Sequence, residues 1–167
     1  MNILFENQYL RDESLVKELY QYLYFKRGIT KACFALMGIT VVINIVNGVT
    51  LNQFDIVALF FPLLFAFFIF YRYFRDVKLS LKRDAECCSD GLWGNVVVTD
   101  EGIIRSFSTG DLVRLSFDKF KYVTETKNLI LLFSETGLIT ILRKDSFLKG
   151  DSCSFVSFLS AKGVKIK

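Results

Sequence analysis

The chain has 167 residues, with 21 Lys and Arg against 17 Asp and Glu, 18 Phe, four Cys and no His. Its mean hydropathy of +0.38 is high for a soluble domain of this size. Without His the commonest general base and transition-metal ligand are missing, and Lys and Arg are too scattered to make a nucleic-acid surface.

The opening "MNILFENQYLRDESL" carries Glu6, Asp12 and Glu13 before any long apolar run and lacks a basic leader, which argues against a signal peptide. "NILFE" reads as a short strand. Residues 12–27 read as a helix capped by Asp12 or Ser14, with Leu15, Leu19, Tyr22 and Leu23 at helical spacing, which leads into the first span or, as the alternative, lies along the inner leaflet. Residues 1–27 thus form an N-terminal strand and an amphipathic helix.

Residues 32–71 hold no Lys or Arg and one acid, Asp55. That length suits a transmembrane hairpin over residues 28–75, with spans at 29–51 and 56–73 and "NGVTLNQFD" as the turn. Eighteen helical residues at ~1.5 Å each cover about 27 Å, close to a hydrocarbon core of ~30 Å. A soluble core helix pair is the alternative, but the remaining chain is too short to wrap two helices that are apolar all round.

Arg11, Lys17, Lys26, Arg27 and Lys31 precede the first span; Arg72, Arg75, Lys78, Lys82 and Arg83 follow the second. Basic flanks stay inside, so both termini are expected in the cytoplasm, with two spans in the membrane. In "YRYFR", Tyr71 and Tyr73 suit the headgroup level while Arg72 and Arg75 suit lipid phosphates, an inner-interface anchor for anionic headgroups in general. Asn44 and Asn47 share a helical face and are expected to make an interhelical polar contact, a functional polar site being the alternative. Pro62 is expected to kink the second span. With no charge inside, the spans read as an anchor and would form a pore only as a homo-oligomer.

Residues 76–94 form a basic amphipathic stalk, with Val77, Leu81, Ala85 and Cys88 on one side, ended by "SDG" and "WG". Residues 95–167 change character. Short β-rich runs are separated by "DEG", "STGD", "TKN" and "ETG" at a spacing that predicts an antiparallel meander of about five strands. Val113, Leu115 and Phe117 share a face, and "LILLF" is apolar on both faces and therefore central. A last helix is capped by Asp151 or Ser152, buries Phe155, Phe158 and Leu159 by packing, and ends at Gly163. The fold class expected is an α+β membrane protein: a two-helix transmembrane hairpin, then an antiparallel cytoplasmic β-domain of pleckstrin-homology-like type closed by a C-terminal helix.

At "ITILRKDSF" (139–147) and "SFVSFL" (154–159), and in the order of its segments, the chain resembles the YcxB-like membrane proteins of Gram-positive bacteria. The resemblance implies two spans and a cytoplasmic β-domain, and it brings no catalytic residues.

The residues themselves offer no catalytic, cofactor-binding or metal site. Cys33, Cys87, Cys88 and Cys153 lack the paired spacing of a zinc site and form no disulfide framework. No nucleophile elbow, P-loop or dinucleotide fingerprint occurs. Acidic "TDEG" stands where phosphoinositide-binding relatives of this shape are basic, which argues against specific lipid recognition. The expectation is a non-enzymatic module that holds an unidentified protein partner at the inner membrane face. The alternative is an immunity protein that neutralises a membrane-acting toxin or bacteriocin.

Overall fold

The computed structural model describes residues 2–26, 28–51 and 55–167. Arg27 of the basic flank, and Asn52, Gln53 and Phe54 of the expected turn, lie outside the described residues. The chain divides into two compact units: Met1–Glu18 with Leu81–Lys167, and Leu19–Ser80.

The first unit is α+β, with two antiparallel sheets and a C-terminal helix. Strand β1 (Ile3–Leu10) precedes helix α1 (Glu13–Gln21), which begins in this unit. After the apolar region come β2 (Trp93–Thr99), β3 (Ile103–Phe107), β4 (Leu112–Leu115), β5 (Phe120–Glu125), β6 (Leu129–Ser134), β7 (Ile139–Arg143), β8 (Phe147–Lys149) and α4 (Ser152–Ala161). One sheet has the order β4-β3-β2-β1-β8 and the other β5-β6-β7. The four turn signals fall between successive strands. "LILLF" is fully buried in the middle strand of the smaller sheet, as its two apolar faces require.

Two features differ from the expectation of about five strands in residues 95–167. Among the described residues from 93 on there are seven strands, β2 to β8, shared between two sheets, and β1 enters the larger sheet from the far side of the apolar region. Its partners are β2, in register from Leu10↔Trp93 toward Ile3↔Thr99, and β8. Residues 95–167 therefore do not complete the sheet by themselves. Phe5, Asn7 and Tyr9 alternate inward along β1 and are buried. Gly94 makes room for Tyr9: a Cβ there would lie 2.7 Å from the ring.

Asp151 caps α4 by accepting the Cys153 and Ser154 amides, and Phe155 and Leu159 face the core. Gly163, at φ 81°, lets the Val164 amide donate to the Leu159 carbonyl and the Gly163 amide to Ser160, a Schellman end. The helix closes over an aromatic cluster. Phe155 meets Phe5 at 5.3 Å and Phe147 at 5.9 Å, while Phe158 meets Phe5 at 5.4 Å and Phe117 at 5.6 Å.

The second unit is helical. A π-helical turn, Tyr22–Lys26, follows α1, and then come α2 (Gly28–Leu51) and α3 (Ile56–Cys87). The second apolar run and the stalk are one continuous helix with Pro62 inside it. Among the described residues one helix, Thr30–Leu51, is long and apolar enough to cross a membrane by length and composition.

Candidate functional site

Two places combine unusual exposure with unusual chemistry. The first is an aromatic and ionic belt in the helical unit. Apolar side chains of α2 and α3 stand exposed on many sides, among them Leu36 at 64%, Phe61 at 63% and Phe67 at 69%. This surface ends at the anchor residues named from the sequence. Tyr71, Arg72 and Arg75 are exposed and Tyr73 is half-buried.

The π-helical turn supplies what the sequence reading missed. It carries Tyr24 and Phe25, and an extra residue per turn shifts the phase of side chains around the axis. Phe25 packs on Phe70 at 5.3 Å, Tyr73 at 5.4 Å and Phe34 at 6.4 Å. Tyr24 lies 6.1 Å from Tyr73, and its hydroxyl donates to Asp76 Oδ2 at 2.5 Å. Arg75 holds Asp76 Oδ1 at 3.0 Å, and Arg72 lies 3.9 Å from Asp76 Oδ2.

The hydrogen bond from Tyr24, helped by Arg75 and Arg72, keeps the Asp76 carboxyl below its ordinary range. Burial, then the Asp76 carboxylate, pushes the Tyr24 phenol up. Asp76 stays charged and ties down the inward side of the arginine pair, while both guanidinium groups remain about half exposed. The available signal was Asp76 itself, four residues after Arg72 at helical spacing.

Of the two asparagines, Asn44 is buried and its Nδ2 donates to the Asp55 carbonyl at 2.9 Å, just before α3 begins. Asn47 is exposed, and among the described residues no such bond from it is seen. Of the two residues named for an interhelical contact, the structure shows this one bond from Asn44. The Oδ1 of Asn44 is buried without a hydrogen-bond partner among the described residues.

The second place is the outer edge of β5, opposite β6. There the tail runs parallel to the strand, with Ile166 bridging Val123. The Val123 amide donates to the Lys165 carbonyl at 2.8 Å, and the Lys167 amide donates to the Val123 carbonyl at 2.9 Å. The Lys167 ammonium lies 4.3 Å from the centre of the Tyr122 ring. Of Phe155, Phe158 and Leu159 in α4, the first and last are buried and Phe158 is partly so.

Cys33, Cys87, Cys88 and Cys153 are free thiols. Among the described residues no three His, Cys, Asp or Glu side chains gather to hold a metal ion. No protein-family model matches the chain, nor does any curated protein or solved structure.

Proposed function

We propose that the chain is a non-enzymatic interaction module, tethered to the inner face of a bacterial plasma membrane by a two-span hairpin. Its β-domain, of pleckstrin-homology-like type, holds a protein partner there. The single observation that carries this reading is the uncovered apolar surface of α2 and α3, which stops at a belt of Tyr, Arg and Asp. An exposed apolar surface of that extent calls for a partner or a membrane. Tyr and Arg at its border match headgroup chemistry, each basic residue near an anionic leaflet contributing about 1 kcal/mol. Basic flanks on both sides of the hairpin, and none in the turn, support cytoplasmic termini. The resemblance to YcxB-like proteins supports the same arrangement.

A reporter active only outside the cytoplasm is expected to work when fused at Asn52 and to be silent at Lys167. The chain should also stay with membranes in alkaline carbonate. Inverted reporter signals, or release by carbonate, would sink the hairpin.

One observation favours the second reading, an immunity protein acting within the bilayer. The buried Asn44 Oδ1 lacks a partner among the described residues, and a buried polar acceptor in a span is a place for a toxin to engage. Asn44→Ala separates the two: it should leave a tether working and impair a bilayer-acting protector.

A further inference from the structure

We propose that the outer edge of β5 is the docking edge for the partner, that it takes an extended segment rich in Asp and Glu, and that residues 165–167 fill it as a displaceable strand. This rests on the reading that the β-domain holds a protein partner, and it names where and by what chemistry.

The edge can accept a strand because one already lies on it. Both backbone groups of Val123 are used by the tail, through the Lys165 carbonyl and the Lys167 amide. That is strand addition, in which main-chain hydrogen bonds hold the segment and side chains select it. The tail is also the one parallel pairing among the described residues; every strand pair of both sheets is antiparallel.

The tail adds positive charge to the place it fills, with the Tyr122 ring 4.3 Å from the Lys167 ammonium as its one attractive side-chain contact among the described residues. It brings Lys165 and Lys167 to an edge that already carries Lys121, two residues before Val123. Strand spacings of about 4.8 Å across and 3.3 Å along put the Lys121 and Lys165 backbones within roughly 10 Å. That is about the Debye length at 0.1 M salt, so their repulsion is only partly screened. Among the described residues no carboxylate lies within ion-pair distance of Lys121, Lys162, Lys165 or Lys167. Glu125 pairs with Lys144 at 2.6 Å and Asp118 with Lys119 at 3.6 Å, while the Lys162 ammonium donates to the Asp100 carbonyl at 3.4 Å. Lys162 rests over Phe117 and Phe158 at 5.5 Å from each ring.

An acidic strand would keep the backbone bonds and replace repulsion by attraction. Anionic lipid could answer the lysines as well, but it offers nothing to the Val123 amide and carbonyl. The backbone bonds therefore favour a peptide over a membrane surface.

The full chain in lipid nanodiscs provides the test, read by hydrogen exchange at the Val123 amide with the Leu131 amide of the central strand as internal reference. In a Lys165→Glu, Lys167→Glu chain, Val123 exchange should slow threefold or more, and the difference should vanish in 1 M salt. Unchanged or faster exchange overturns the proposal. A chain ending at Val164 should exchange Val123 at least tenfold faster. Protection should then return with the synthetic peptide Val-Glu-Ile-Glu-Val-Glu and not with its Lys-for-Glu counterpart. Equal effects of the two peptides, or of neither, overturn the proposal, as does protection restored by phosphatidylserine in the nanodisc alone. Crosslinking in native membranes separates this proposal from the reading beneath it. A partner recovered equally from the intact chain and from Val123→Pro, with Leu131 still protected, overturns the edge alone. Recovery of no partner from the intact chain overturns the tethered module itself.

Discussion

At Asn7 a side-chain amide stands in for a backbone peptide group. Its Nδ2 donates to the Arg143 carbonyl at 2.7 Å, and its Oδ1 accepts the Arg143 amide at 3.1 Å. One buried residue of β1 thereby ties the larger sheet to β7 of the smaller one. Asn7→Ala is expected to leave the Arg143 amide unpaired while its carbonyl keeps the Ser146 amide at 3.3 Å, at about 1–3 kcal/mol for the orphaned group, read as a lower urea midpoint with an unchanged slope. Two positions on, Tyr9 is buried, and burial pushes its phenol up to about 12 despite Arg105 and Arg11. The folded chain holds that proton more tightly than the unfolded one, whose phenol titrates near 10. The contribution is therefore complete below pH 10 and is lost as pH rises through about 12. A titration at 295 nm should show late-ionising Tyr, Tyr24 among them, and Tyr9→Phe should remove the latest part of that change and flatten the alkaline loss of stability. Neither role was legible beforehand. "ILFENQYL" points an Asn inward between Phe5 and Tyr9, which looks like a broken alternation until its partner, 136 residues away, is in place.

At the scale of elements, the sequence was clearest where local signals repeat. Turn signals of three or four residues marked the ends of strands, Asp151 and Gly163 marked the ends of α4, and two apolar faces marked β6 as central. The position of β1 could not be read in the same way. A strand's neighbours are set by tertiary pairing, and here the helices intervene between β1 and β2. The π-helical turn was also hidden, since Tyr22–Lys26 has the composition of an ordinary helix. Because β1 sits between β2 and β8 and carries Phe5 against α4, a fragment of residues 94–167 should fail to fold. It would expose the β2 edge and open the aromatic cluster. Residues 1–18 joined to residues 81–167 should instead give a soluble β-rich domain. A flexible linker of ten residues spans roughly 18 Å on average. Circular dichroism with a cooperative thermal transition would decide. A fragment of 94–167 that melts cooperatively would contradict the role given to β1.

Across the whole molecule, the helical region is an insertion within a β-domain, and the two have separable tasks if, as proposed, the insertion is a membrane hairpin that only tethers. The ends of the insertion are held within the β-domain. Leu10 pairs with Trp93, Asp12 caps α1 by accepting the Leu15 amide at 2.8 Å, and Arg11 meets Asp84 of α3 at 2.7 Å. Replacing spans 29–51 and 56–73 by an unrelated two-helix anchor of the same orientation should therefore preserve partner crosslinking. Phe155→Ala should abolish crosslinking while leaving the chain in the membrane. That side chain is fully buried against Phe5 and Phe147, and truncating a buried Phe costs about 3–5 kcal/mol. A loss of that size approaches the whole stability of a small domain, about 5–15 kcal/mol. The helices do not depend on this cluster for their hydrogen bonds, so fractionation should still find the variant in membranes. The opposite pattern has a definite meaning. If the anchor swap destroys activity, Phe155→Ala spares it and Asn44→Ala reproduces the loss, the working surface lies in the bilayer. The immunity reading then replaces the tether.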